Sequence, residues 1–213
     1  MKFELKQIIP YPLKTEKFEE SSIWNQSVSF DSSNRILLNA SSGRGKSTFI
    51  NIIYGIRTDF EGELIIDDQK TRSFSIHNWV ELRRERLSFI PQDLQLFPSM
   101  TALENLRIKN NLNDLYSETE MIEFLERVGL DHKINQICGT LSMGQQQRIA
   151  IIRALLQPYE FLLMDEPFSH LDDDNTQIAL DLINEISNER NAGYVITSLG
   201  SNNKQEFNRT LSI

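Results

Sequence analysis

The chain is 213 residues long, with 30 acidic and 22 basic residues, a formal net charge of -8 and one cysteine. That length fills one sizeable domain needing no disulfide or metal staple, and a single thiol, Cys138, fits a reducing cytoplasm. The acidic balance argues against a general nucleic-acid binder; no apolar run approaches the roughly 20 residues of a membrane-spanning helix, and Met1 to Pro10 lacks a signal peptide's apolar core.

The first segment, "KFELKQII", alternates apolar and polar residues as a half-buried strand does, and "SVSF" and "GELIIDD" read the same way. Together they predict a small antiparallel layer. "RILLN" (Arg35 to Asn39) is a short apolar run, followed by a glycine-rich turn and by "KSTFINIIYGI". In that segment Phe49, Ile50, Ile53 and Ile56 share one helical face, with Gly55 near its end. "NWVELRRERL" predicts a charged amphipathic helix and "LSFIPQ" a strand. Leu94 to Thr140 is more polar and predicts an inserted helical subdomain. Within it Ser117 and Glu120 form a capping box for a helix carrying Met121, Phe124, Leu125 and Val128, closed by Gly129. "GQQQRIAIIRALLQ" predicts a helix, "FLLMDEP" a buried strand, "LDDDNTQIALDLINEISNE" a helix and "GYVITSL" a buried strand. Strands alternating with helices predict a parallel sheet in an α/β core.

Two motifs carry chemistry. "NASSGRGKSTF" follows a strand and opens a helix, the setting a phosphate-binding loop requires. Gly43 and Gly45 let backbone N–H groups turn toward phosphate oxygens, and the helix behind them points its positive end the same way. Lys46 adds a cation, Ser47 offers a hydroxyl to Mg²⁺, and Thr48 completes the core of the loop. Alanine at position 40 is compatible with a negative φ there. "FLLMDEP" ends an apolar strand in Asp165 and Glu166, at the sheet edge where ligands of open α/β folds collect. Asp165 can hold Mg²⁺ through water, and Glu166 can orient or deprotonate an attacking water.

"LSMGQQQR" (Leu141 to Arg148), just before that strand, separates this chain from other phosphate-loop proteins. With the two motifs, it resembles the signature of the ATP-binding cassette (ABC) ATPases, which reads Leu-Ser-Gly-Gly-Gln; Met143 replaces one glycine. Physically, Ser142 and the helix start behind it form a second anion site. The resemblance covers nearly the whole chain. It implies an α/β P-loop NTPase (RecA-like) core with a β layer over residues 1–92 and 141–213, and an inserted helical subdomain over 93–140.

From the same resemblance, ATP with Mg²⁺ binds at Ala40, Ser41, Ser42, Gly43, Arg44, Gly45, Lys46, Ser47 and Thr48. Ser47, Gln92 and Asp165 serve the metal, while Glu166, Gln92 and Lys46 serve hydrolysis. Ser142, Gly144 and Gln145 face the γ-phosphate held by a second copy in a homodimer. "FIPQD" resembles the family's Q-loop, "SHLD" its D-loop, and "LFPSMTALENL" the segment that receives a permease. This last stretch, with "LRRERLSFIPQ", is most similar to the branch serving lipoprotein-release and macrolide-export permeases and the related cell-division ATPase. Such a subunit sits peripherally on the cytoplasmic face of the inner membrane, bound to an integral permease and to no nucleic acid. Tyr11 or Phe18 stacks on adenine. Ser198 stands where the family places a histidine that reaches the γ-phosphate, with Leu199 where aspartate is usual. That substitution predicts slow hydrolysis, and it leaves open a nucleotide-gated switch on a membrane partner.

Overall fold

Alternation of side chains builds the first layer in the computed structural model, which describes residues 1–16, 18, 21–39, 43, 45–198 and 207–213. Strand β1 (Lys2–Pro10) buries Phe3, Leu5 and Ile8, and pairs antiparallel with β2 (Ser27–Asp31) and β4 (Phe60–Ile66). The short β5 (Gln69–Lys70) extends the sheet to the order β2-β1-β4-β5. The jump from Leu5 to Ile8 breaks the two-residue period. Gln7 has φ +52 and the register against β4 shifts between Lys6 and Ile9, so a bulge carries the strand's inward face across. Gly62 lies opposite, where a Cβ would stand 2.3 Å from the Gln7 carbonyl oxygen.

The second sheet is parallel, in the order β6-β7-β8-β3-β9, built from β3 (Arg35–Asn39), β6 (Leu87–Ile90), β7 (Phe161–Asp165), β8 (Gly193–Ser198) and β9 (Arg209–Ser212). Every residue of β7 is buried, as a central parallel strand covered on both faces must be. Its side chains divide between two cores by the two-residue period. Phe161 and Leu163 join the core beneath the antiparallel layer and helix α1 (Lys46–Ile53), while Leu162 and Met164 face helices on the other side. Those helices are α3 (Ala102–Asn110), α4 (Glu118–Arg127), α5 (Met143–Leu155) and α6 (Asp173–Glu189). The remaining helix, α2 (Ile76–Glu85), buries only Leu82.

The Ser117–Glu120 capping box forms as the spacing predicts, and Gly129, at φ +71, follows the last turn of α4. Thr101 and Glu104 form a second box at the start of α3. One expectation fails. Ile56 does not share the α1 face, because the helix ends at Ile53 and Gly55 turns the chain at φ +73, leaving Ile56 57% exposed. A Cβ on Gly55 would also meet the Trp79 ring at 2.4 Å.

Candidate functional site

β3 delivers the chain to the glycine turn at the carboxyl edge of the parallel sheet, and α1 leaves from it. Of the predicted loop residues, Ala40, Ser41, Ser42 and Arg44 lie outside the described residues. Gly43 and Gly45 adopt φ +81 and +103, the left-handed region that favours glycine. Gly45 is constrained twice: a Cβ there would stand 2.8 Å from the Leu13 Cδ1 atom and 3.3 Å from the Trp24 ring. Helix α1 starts at Lys46, so Lys46, Ser47 and Thr48 form its first turn, whose N–H groups have no earlier carbonyl within the helix to bond.

Strand β7 runs parallel beside β8 and brings the acidic pair to the same edge. Lys46 is only 6% exposed, and its Nζ lies 3.3 Å from Oε1 of Glu166. Asp165, 4% exposed, accepts a 2.7 Å hydrogen bond from the Thr197 hydroxyl. Glu166 sits at φ +51, strained for a residue with a side chain, and its N–H donates to the same hydroxyl at 2.9 Å. The structure thus joins the lysine of one motif to the Glu166 carboxylate of the other, 120 positions away. An ammonium at a helix start against one carboxylate, with a second carboxylate adjacent in sequence, can hold a polyphosphate with its cation and steer a water toward it.

The signature forms a separate end of the arrangement. Ser142 caps α5, accepting from the Gln145 N–H at 3.3 Å while its own N–H donates to the Gln145 side chain at 3.0 Å. Met143 is exposed on the first turn. Gly144 packs against the turn after β7, where a Cβ would come 2.7 Å from the His170 carbonyl oxygen. Gln147, buried on the next turn of α5, ties the two together. Its amide nitrogen donates to the Glu166 carbonyl at 3.2 Å and to Ser169 Oγ at 3.3 Å, and its oxygen accepts from the His170 N–H at 2.9 Å.

Three predicted residues lie nearer the margin. Gln92 is exposed on the turn after β6, the strand beside β7. Two residues on, Leu94 and Gln95 take φ +58 and +48, and the Arg153 guanidinium from α5 donates to both carbonyls at 2.7 Å. Ser198 ends β8 opposite Asn39, the last residue of β3, and Leu199 lies outside the described residues. Tyr11 is exposed on a 3₁₀ turn, Tyr11–Leu13, directly after β1, whereas Phe18 is partly buried against the core of the β layer. Because Leu13 touches the Gly45 position, the turn carrying Tyr11 packs on the phosphate loop.

Sequence reasoning missed Thr197 and Gln147. Each is a polar residue inside an otherwise apolar stretch, "YVIT" and the buried face Gln147, Ile151 and Ala154 of α5, and that was the available signal. A buried polar side chain needs partners, and both find them at Glu166.

The profile of the ABC transporter family matches residues 23–169. The chain belongs to the ABC transporter family. Its curated ABC relatives include the lipoprotein-releasing system ATP-binding protein LolD of Buchnera aphidicola subsp. Schizaphis graminum, 35% identical over 162 residues, 74% of this chain and 70% of that protein. The ABC transporter ATP-binding protein YtrE of Bacillus subtilis is 34% identical over 158 residues, 73% of this chain and 68% of that protein. Among solved structures, a post-hydrolysis dimer of the ATP-binding cassette MJ0796 bound to ADP and Pi is 28% identical, with a TM-score of 0.77 over 92% of this chain and 87% of that one. A putative ABC transporter ATP-binding protein from Pyrococcus furiosus, at 18% identity and a TM-score of 0.78, covers 100% of this chain and 97% of that one and shares the fold. The α/β P-loop NTPase fold expected from the sequence is the fold of these cassettes. Among the described residues, no helix is long and apolar enough to cross a membrane.

Proposed function

We propose that this ABC subunit binds Mg²⁺-ATP between two copies of itself and hydrolyses it to drive a membrane permease of the lipoprotein-release or macrolide-export type, working from the cytoplasmic face. The observation that carries this reading is the Lys46–Glu166 contact beside an Asp165 held by Thr197. Residues 40–48 wrap the phosphates, Lys46 neutralises them, and Glu166 orients the attacking water. Ser142, Gly144 and Gln145 face the γ-phosphate of the opposite copy, a reading supported by the cap that Ser142 and Gln145 form at the start of α5 and by the occurrence of dimers among the similar cassettes. Tyr11 stacks on adenine, favoured over Phe18 by its exposed ring and by Leu13's contact with the loop. Residues 93–140 form the helical subdomain, with residues 94–106 as its docking face for the permease.

The donor set fits Mg²⁺. Ser47, Asp165 and Gln92 offer hard oxygen ligands, and among the described residues no cluster of three or more His, Cys, Asp or Glu forms a cage. Mg²⁺ bound by one or two protein oxygens plus phosphates and waters needs none. When bound, it supplies charge neutralisation on the β- and γ-phosphates.

Calorimetry decides the first step. Lys46→Ala should weaken Mg²⁺-ATP binding by about 100-fold or more, the scale of losing one charged contact in a site built for phosphate. Unchanged affinity would place the nucleotide elsewhere. Light scattering of Glu166→Gln protein in ATP should then show a dimer, and a monomer at every ATP concentration would refute the clamp.

Ser198 supports a second reading, in which ATP-driven closure recruits or regulates a membrane partner with little turnover. A serine is shorter than histidine and carries no charge, so it stabilises the γ-phosphate less. Recruitment of a partner in reconstituted vesicles without movement of any cargo would favour this switch.

A further inference from the structure

Strand β8 is apolar from Tyr194 to Ile196 and then presents Thr197, 1% exposed, directly opposite Asp165 in the parallel register. A threonine hydroxyl has one proton to give and two lone pairs to offer. Here the proton goes to Asp165 Oδ1 at 2.7 Å, and a lone pair takes the Glu166 N–H at 2.9 Å. One buried hydroxyl therefore fixes two consecutive residues in different ways. It holds the plane of the Asp165 carboxylate by occupying one oxygen, and it anchors the backbone of Glu166 in the left-handed turn. That turn is what lets the Glu166 side chain leave the strand and reach Lys46.

We infer that Thr197 is the positioning residue for both carboxylates, setting Asp165 to hold Mg²⁺ and Glu166 to orient water. The inference rests on the nucleotide reading above and deepens it, because that reading cites the Thr197 contact to Asp165 but gives Thr197 no part in placing metal or water. It also gives β8 a part in the centre that does not depend on Ser198. Partners that orient a metal-holding group typically change metal affinity or activity by about 10–100-fold when removed.

The test uses the full chain with Thr197→Val, which keeps the shape and removes the hydroxyl, and Thr197→Ser, which keeps the hydroxyl and removes the methyl. Calorimetry measures ATP affinity in EDTA and then the Mg²⁺ concentration that half-completes the metal-dependent gain. Thr197→Val should leave the affinity in EDTA at the wild-type value while raising the Mg²⁺ midpoint by about 10–100-fold. Its kcat should fall further than its KM for ATP rises, and Thr197→Ser should restore both readouts. Should Thr197→Val fail to melt cooperatively, Thr197→Cys, whose thiol is a weak donor, takes its place with the same expectation. A wild-type Mg²⁺ midpoint in the hydroxyl-free variant would overturn the inference while leaving the nucleotide site intact. So would a Ser variant as impaired as Val, which would mean that the methyl's packing matters instead. A wild-type chain that binds no ATP with or without Mg²⁺ would overturn the nucleotide reading itself, and this inference with it.

Discussion

On the proposed function, Ser198 is the residue expected to limit the rate of turnover. It ends β8 beside Asn39, at the edge where Lys46 and Glu166 meet, so its place relative to the phosphates is that of the histidine it replaces. Removing one oriented donor from a phosphoryl-transfer site typically costs about 10²–10³ in rate. Lys46, Asp165 and Glu166 remain, so the expected enzyme is slow but not dead. Ser198→His should therefore raise kcat of the dimer by about tenfold or more, with little change in nucleotide affinity, since the loop and helix start carry the binding. A fast wild-type enzyme slowed by histidine would reverse this assignment. That Lys46, Asp165 and Glu166 come to one sheet edge was legible in the sequence, because a strand, glycine turn and helix and an apolar strand ending in two acids both deliver their residues there. Thr197 and Gln147 were not, because nothing local says which distant group a buried threonine or glutamine will meet.

The loop after β6 shows how an element divides its side chains. Leu94, Leu96, Phe97 and Met100 together read as one apolar docking strip, but the structure sends them to different places. Leu94 is 3% exposed and belongs inside, Leu96 packs against the helical core, and Phe97 remains 48% exposed. Asn105 of α3 holds the loop by accepting from the Phe97 N–H at 2.8 Å and donating to its carbonyl at 3.1 Å, so the ring is presented by a fixed backbone. A preorganised exposed aromatic is the usual anchor of an interface. Crosslinkers placed at Phe97 should capture a co-purified membrane protein, and Phe97→Asp should weaken that association by about tenfold or more with an unchanged melting temperature. Crosslinks confined to other surfaces would return the loop to a purely internal role. Elements written by burial were legible: β3 and β7 as short apolar runs, and α5 as a longer stretch with buried apolar residues along it. The β1 bulge and the edge strand β9 were not. The bulge arises from Gly62 facing Gln7 across the sheet, and β9 from pairing with β3 more than 160 positions earlier.

At the scale of the whole molecule, each copy carries a formal charge of -8, and closing two copies on ATP brings like charges together. In the proposed pair, contacts to the shared phosphates have to outweigh that repulsion locally, through Lys46 and the starts of α1 and α5. The repulsion acts over longer distances between exposed carboxylates, where salt screens it with a Debye length of about 10 Å at 0.1 M. The attraction acts in a buried site, where Lys46 is 6% exposed and screening is weak. The two terms therefore respond differently to ionic strength. Glu166→Gln protein, held with saturating Mg²⁺-ATP, should dimerise at lower protein concentration as NaCl rises from about 50 to about 300 mM, by several-fold in the midpoint. Sedimentation or light scattering across a dilution series measures this directly. Dimerisation weakened by salt would mean that exposed opposite charges on the two faces, and not the buried phosphate contacts, hold the pair.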